Sequence, residues 1–217
     1  MKQYSGVYPA VVIANVDPAN SGRVQVRLPQ LSGPGHEGYE AWARIATLMA
    51  GKNRGTWFIP DVQDEVLVAF EGGDSRRPYV LGALWSGINS PPETMDIDNN
   101  RKVLRSRSGV KITLDDQGGQ ENFIVETPGG QRIMLKDGPG SVEITDSNGN
   151  SVKLEPGGLT VNASARVTIN ASAVEVNSSI VSVNAGMSKF SGAVKCDTLI
   201  SNSVVSASYT PGAGNVM

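Results

Sequence analysis

The chain has 217 residues with 19 basic and 21 acidic side chains, and its net charge of -2 gives no electrostatic case for nucleic acid or an acidic membrane surface. A single cysteine, Cys196, excludes an intrachain disulfide. No charged-then-apolar leader is visible and no apolar run approaches the ~20 residues needed to span a bilayer, so the expectation is synthesis in the cytoplasm without a signal peptide.

Nine of the twelve aromatic residues lie at or before Trp85, which gives the front of the chain the material for a conventional core. Residues 7 to 14 (VYPAVVIA) and 22 to 28 (GRVQVRL) read as strands around the turn-rich VDPANSG, with Val24, Val26 and Leu28 alternating against Arg23, Gln25 and Arg27. Further strands are expected at 41 to 47, 56 to 60, 65 to 70 and 79 to 85. This many short strands suggests a small barrel over residues 1 to 87, decorated by the loops QLSGPGHEGYE and LMAGKNRG. A neck over 88 to 102 follows.

Beyond the neck, apolar pairs that straddle one polar or variable residue recur at Ile112/Leu114, Phe123/Val125, Ile133/Leu135, Val142/Ile144, Val152/Leu154, Leu159/Val161, Val167/Ile169, Val174/Val176 and Val181/Val183. Successive pairs start eleven, ten, nine, ten, seven, eight, seven and seven residues apart. Strand side chains alternate between faces, so each pair is one very short strand with a single apolar face. Gly, Asp, Asn or Pro fills most of the earlier gaps, which is turn chemistry.

A seven-residue repeat is too short for a coil of a single-chain β-helix, which needs roughly twenty residues. Three chains contributing one face each would supply that coil and pair its otherwise open edges. The expected fold class is therefore all-β: a small N-terminal barrel followed by an intertwined triple-stranded β-helix in a homotrimer, its shaft at 103 to 206 and a tail at 207 to 217. Val161, Val167, Ile169, Val174, Val176, Val181 and Val183 are expected to face the trimer axis, and the shortening repeat predicts a shaft that narrows toward its C-terminal end. The plainer alternative is a run of ordinary hairpins forming a sandwich. After Ala185 the pattern loosens.

Candidate chemical sites are few. Gly33, Gly35 and Gly38 satisfy G-x-G-x-x-G, but Pro34 interrupts them and no helical pattern follows. Asp146 to Asn150 resembles the start of a calcium loop without the glycine at its sixth position or the closing glutamate, so a turn is the better reading. His36 is the only histidine and has neither a metal-ligand partner nor a nucleophile motif. No catalytic, cofactor or metal residue is assigned, and no enzyme is expected. Arg101, Lys102, Arg105 and Arg107 form a basic cluster without interleaved aromatics, read as a solvated neck or a contact to an acidic neighbouring subunit. Asn162, Asn170, Asn177 and Asn184 follow the apolar pairs at equivalent positions and suit amide ladders at corners.

One stretch is specific enough to suggest a family. Gly22-Arg23-Val24 with Val26, Trp42-Ala43-Arg44, Ala50-Gly51, Gly55 with Phe58-Ile59-Pro60, Asp64-Glu65-Val66, Phe70 before Gly72-Gly73-Asp74, then Pro78 and Gly82 recur in order. Together they closely resemble the OB-fold domain of the VgrG-like and phage baseplate assembly V spike proteins of contractile injection systems. The resemblance covers residues 7 to 87 and implies a β-helical second half. Relatives often carry a hub domain before the barrel, or a lysozyme domain after it. Neither is seen here, so the resemblance implies a minimal spike whose hub is a separate protein.

It also implies a PAAR-like tip protein seated on the far end near Val204, Val205 and Tyr209, and action on a target envelope when the particle contracts. The competing function is an OB-fold module that binds oligosaccharide or nucleic acid on a repeat-built stalk.

Overall fold

The computed structural model describes residues 3 to 31 and 38 to 207. Compact units divide at residue 167. The first holds a barrel and a long sheet, and the second is extended chain.

The barrel contains β1 (Val7–Ala14), β2 (Val24–Leu28), β3 (Tyr39–Ile45), β6 (Glu65–Phe70) and β7 (Pro78–Leu84), with a small hairpin of β4 (Ala50–Gly51) and β5 (Arg54–Gly55) outside it. It closes in the order β1-β2-β3-β7-β6, so that β6 returns to pair with β1. Only β3 and β7 run parallel; every other junction is antiparallel. Inward positions are set by alternation: Val24, Val26 and Leu28 are fully buried with Val12, Ala43, Val66 and Val68, while their neighbours on β2 are only partly covered. Tyr4, Tyr8 and Phe70 pack together against this core with ring centroids 5.5 to 6.2 Å apart.

The β1–β2 turn is organised by Asp17. Its carboxylate accepts the backbone N–H groups of Ala19 and Ser21 at 2.9 and 2.8 Å and the Arg23 guanidinium at 2.8 and 3.1 Å. The Arg23 side chain, then these backbone donors, hold Asp17 well below the usual carboxylate range. Arg23 also lies over the Trp42 ring, 5.7 Å from its centroid.

The strand expected at 56 to 60 is absent. The barrel already closes on itself and offers TWFIP no open edge. The segment instead leaves the β4–β5 hairpin as an irregular arm that exposes Trp57 (76%) and Phe58 (73%).

The second sheet is a meander of β8 (Arg101–Arg105), β9 (Lys111–Asp115), β10 (Asn122–Glu126), β11 (Arg132–Lys136), β12 (Ser141–Thr145), β13 (Ser151–Glu155) and β14 (Gly158–Asn162). Spatial order equals chain order and every pairing is antiparallel. All six apolar pairs from Ile112/Leu114 to Leu159/Val161 therefore sit on strands. β8 begins at Arg101, inside the stretch read as neck, where basic residues hide the alternation.

The turns explain why the chain can reverse here. Gly109, Gly119, Gly130 and Gly149 occupy four of the loops with φ between +73° and +91°, where a Cβ is disfavoured. At Gly138 a Cβ would collide with the Gly119 carbonyl, because neighbouring loops approach backbone to backbone.

After Asn162 no further strand is assigned among the described residues. The second unit, from Thr168, is extended chain with bends at Ser172, Ser179 and Gly186, then at Ser191 and Gly192 together, and at Asp197, Asn202 and Ala207. No helix of the described residues is long and apolar enough to cross a membrane.

Candidate functional site, an apolar sheet face and an extended tract

Strand register turns the apolar pairs into two columns on one face of the meander. One runs Leu104, Ile112, Val125, Ile133, Ile144, Val152, Val161 without interruption; the other runs Lys102, Leu114, Phe123, Leu135, Val142, Leu154, Leu159. The opposite face carries Val103, Thr113, Ile124, Met134, Glu143, Lys153 and Thr160 as its middle column, and Thr113 is 6% exposed.

In the single chain the apolar columns lie open: Leu114, Phe123, Ile133, Leu135, Ile144 and Leu154 are 40 to 46% exposed. A groove of about 660 Å³ follows the second column along the loops at one edge. On its rim Asn122 holds a buried Oδ1 that has no donor among the described residues. An apolar face this long far exceeds the scattered exposed residues of ordinary surfaces and marks an interface.

The predicted axis residues divide between two settings. Val161 lies on β14 opposite Val152. Val167, Ile169, Val174, Val176, Val181 and Val183 lie on the extended tract, each 62 to 70% exposed and unpaired in the single chain. Val204 and Val205 are adjacent but unlike, at 61% and 98% exposed. Tyr209, His36, Gly33 and Gly35 lie outside the described residues.

The basic cluster is largely paired within the chain. Arg101 meets Asp115 at 3.3 Å and Glu93 at 3.8 Å, and Glu93 also takes Lys111 at 3.6 Å, which straps the neck to the first two strands of the sheet. Arg107 reaches back to Asp61 of the barrel at 2.8 Å. In the Asp146 turn the carboxylate accepts four N–H groups, from the backbone and side chains of Asn148 and Asn150, at 2.7 to 3.2 Å. These donors hold its pKa down at about 2.

The barrel has its own exposed apolar region, which alternation did not reveal. The β4–β5 hairpin, the 56 to 59 arm and the end of β3 enclose an open cleft of about 1010 Å³ lined by Leu48, Met49, Trp57 and Phe58. Gly22 lets the Trp57 ring approach closely: a Cβ there would be 3.3 Å from it.

A closed five-stranded barrel is followed by a sheet with one uncovered apolar face, as a subunit of a larger assembly presents. Residues 8–85 match the type VI secretion system/phage-baseplate injector OB domain, and residues 122–187 match the phage baseplate V C-terminal trimerisation domain. The chain belongs to the VgrG-like and baseplate V-like spike proteins.

Among curated relatives it is similar to the type VI secretion system spike protein VgrG3 of Vibrio cholerae, 30% identical over 112 residues, 49% of this chain and 11% of that one. It is similar to the actin cross-linking toxin VgrG1 of the same species, 30% identical over 108 residues, 47% of this chain and 10% of the relative. VgrG4b of Pseudomonas aeruginosa, a type VI secretion system spike protein, is 32% identical over 111 residues, 48% of this chain and 14% of the relative. The chain spans only a small part of the length of these relatives.

Proposed function

We propose that this chain is the central spike of a contractile injection baseplate: a homotrimer with its barrels at 1 to 87, a neck at 88 to 102, a shaft at 103 to 206 and a tail at 207 to 217. The observation that carries the reading is the uncovered apolar face of the meander, continuous over seven strands and overlapping the trimerisation match. Three such faces turned to a common axis would bury one another. In the tract beyond, Val161, Val167, Ile169, Val174, Val176, Val181 and Val183 would continue that axis, and strands shared among three chains would satisfy the backbone groups that one chain leaves open. The role is mechanical and needs no catalytic group in this chain.

The barrel cleft around Leu48, Met49, Trp57 and Phe58 supports docking on a separate hub protein, and the far end at Val204, Val205 and Tyr209 would carry a PAAR-like tip protein. A last β-helical layer left bare exposes apolar interior and unpaired N–H and C=O groups, so something must cap it. The assembled spike would reside in the baseplate of a virion or tail-like particle and be driven at a target envelope on contraction.

Light scattering on the purified chain tests the central point, with three chains expected and a monomer overturning it. Removing residues 203 to 217 should keep the trimer and abolish capture of the tip protein. Unchanged capture would place the tip elsewhere.

A further inference from the structure

We infer that residues 193 to 207, beyond the matched trimerisation domain, extend the three-chain interface as a narrower prism with five residues per face, whose occupants are the second and third copies of this chain. The inference rests on the trimeric reading above.

The bends carry it. Ser172, Ser179 and Gly186 are spaced by seven residues; a double bend at Ser191 and Gly192, with Gly192 six residues after Gly186, makes the junction, and beyond it the bends at Asp197, Asn202 and Ala207 are spaced by five. One corner of each kind is built alike. Around Ser179, the Ser178 hydroxyl donates to the Ile180 carbonyl at 2.7 Å and accepts the Ile180 N–H at 3.2 Å. Around Asn202, the Ser201 hydroxyl makes the same pair of bonds to Ser203, at 2.8 and 3.3 Å. The same serine corner thus serves a seven-residue unit at Ser178 and a five-residue unit at Ser201, with a shorter straight segment between corners in the second.

The shortening is by two residues, and the parity matters. Side chains alternate with a period of two, so losing two residues leaves every later residue on its own face, whereas losing one turns them all over. A seven-residue unit places Val174, Val176 and the corner Ser178 on one face; a five-residue unit places Leu199 and the corner Ser201 there. The preceding and following units place Val194 with Cys196 and Val204 with Ser206. Each face thus keeps one large apolar side chain and one small residue, which suits a tighter axis.

Exposure in the single chain follows the same division. Val194, Leu199 and Val204, five apart, are 64, 74 and 61% exposed, against 92 and 98% for their outward neighbours Ile200 and Val205. Residues 193 to 207 contain no Gly or Pro, and the turn-forming Asp197 and Asn202 sit at the bends, not within the straight segments. At ~3.3 Å per residue, the longest possible face falls from about 23 Å to about 16 Å.

The test uses the full chain with one or two alanines inserted after Asp197. Two residues restore a seven-residue unit; one reverses Leu199 and Val204. Thermolysin cleavage within 199 to 205 is followed by mass spectrometry, with light scattering on the same samples. Wild type and the two-residue insertion are expected to resist, and the one-residue insertion to be cut about tenfold faster or more. Leu199→Asp should be cut like the latter and Ile200→Asp should resist. Equal cleavage of both insertions, or wild type as labile as the one-residue variant, in samples of trimeric mass overturns this inference alone. A monomeric wild type overturns the trimeric reading with it.

Discussion

The meander at 101 to 162 and the tract at 167 to 185 are written in the same grammar, an apolar pair around one outward residue, yet only the first folds on itself. Between strands of the meander come loops with Gly109, Gly119, Gly130 and Gly149 at positive φ. From residue 163 to 185 there is no Gly, Pro or Asp at all. Without a glycine in the gaps, only Asn170, Asn177 and Asn184 tolerate the left-handed region, a tight reversal loses its least strained residue, and the chain runs on. What separates a sheet made within one chain from one made between chains is thus carried by the gaps; the strands themselves hardly differ.

The largest expected effect comes from charging the tract. Val176→Asp would bring three carboxylates into a dry axis at an effective cost of several kcal/mol per ion unless they protonate. Trimer mass and thermal melting should both collapse. Glu175→Lys, one residue away on the outward face, should leave both near wild type. Equal assembly of the two variants would show that the inward register is wrong.

Next comes a turn of the meander. Gly130→Val puts a β-branched side chain at φ +86° with its Cβ 3.2 Å from that of Ser147. A loss of about 1 to 3 kcal/mol is expected, measured as a shift in the denaturant midpoint. A variant as stable as wild type would mean that the loop glycines do not set the reversal.

The smallest effect concerns the Asp146 turn. Its carboxyl is depressed to about 2 in the folded chain, by the Asn150 side chain first and its backbone N–H next. A depressed carboxyl contributes stability above its unfolded pKa of about 4 and loses that contribution as pH falls toward 2. Asp146→Asn should therefore lower the melting temperature slightly at pH 7, with the difference from wild type shrinking below pH 4. A difference independent of pH would assign the effect to shape alone.

Much of this architecture was legible because alternation is a local signal. The six strands from Lys111 to Asn162 announced themselves through their apolar pairs, as did Val24, Val26 and Leu28 in the barrel. Two kinds of feature were not. TWFIP looks like a strand, yet whether it pairs depends on a free edge that barrel closure removes. β8 looks like a basic neck, yet Val103 and Leu104 give it two faces once β9 lies beside it. The five-residue spacing after Gly192 also escaped notice, since one large apolar residue per unit is too sparse to register without the bends. As for the candidate site, the apolar pairs that mark the proposed axis could be read from sequence, whereas the barrel cleft is assembled from residues that no periodicity joins.

The absence of glycine, proline and aspartate between 163 and 185 also bears on how long an assembled spike lasts. Chains wound about one another, as the trimer proposed here requires, cannot part by a sideways step. A subunit would have to unwind through its corners, losing pairing to both neighbours as it goes. Lifetime would then be set by the unwinding rate and not by an association equilibrium. Differently tagged populations, once mixed, should keep their original membership, with no exchange of subunits between particles.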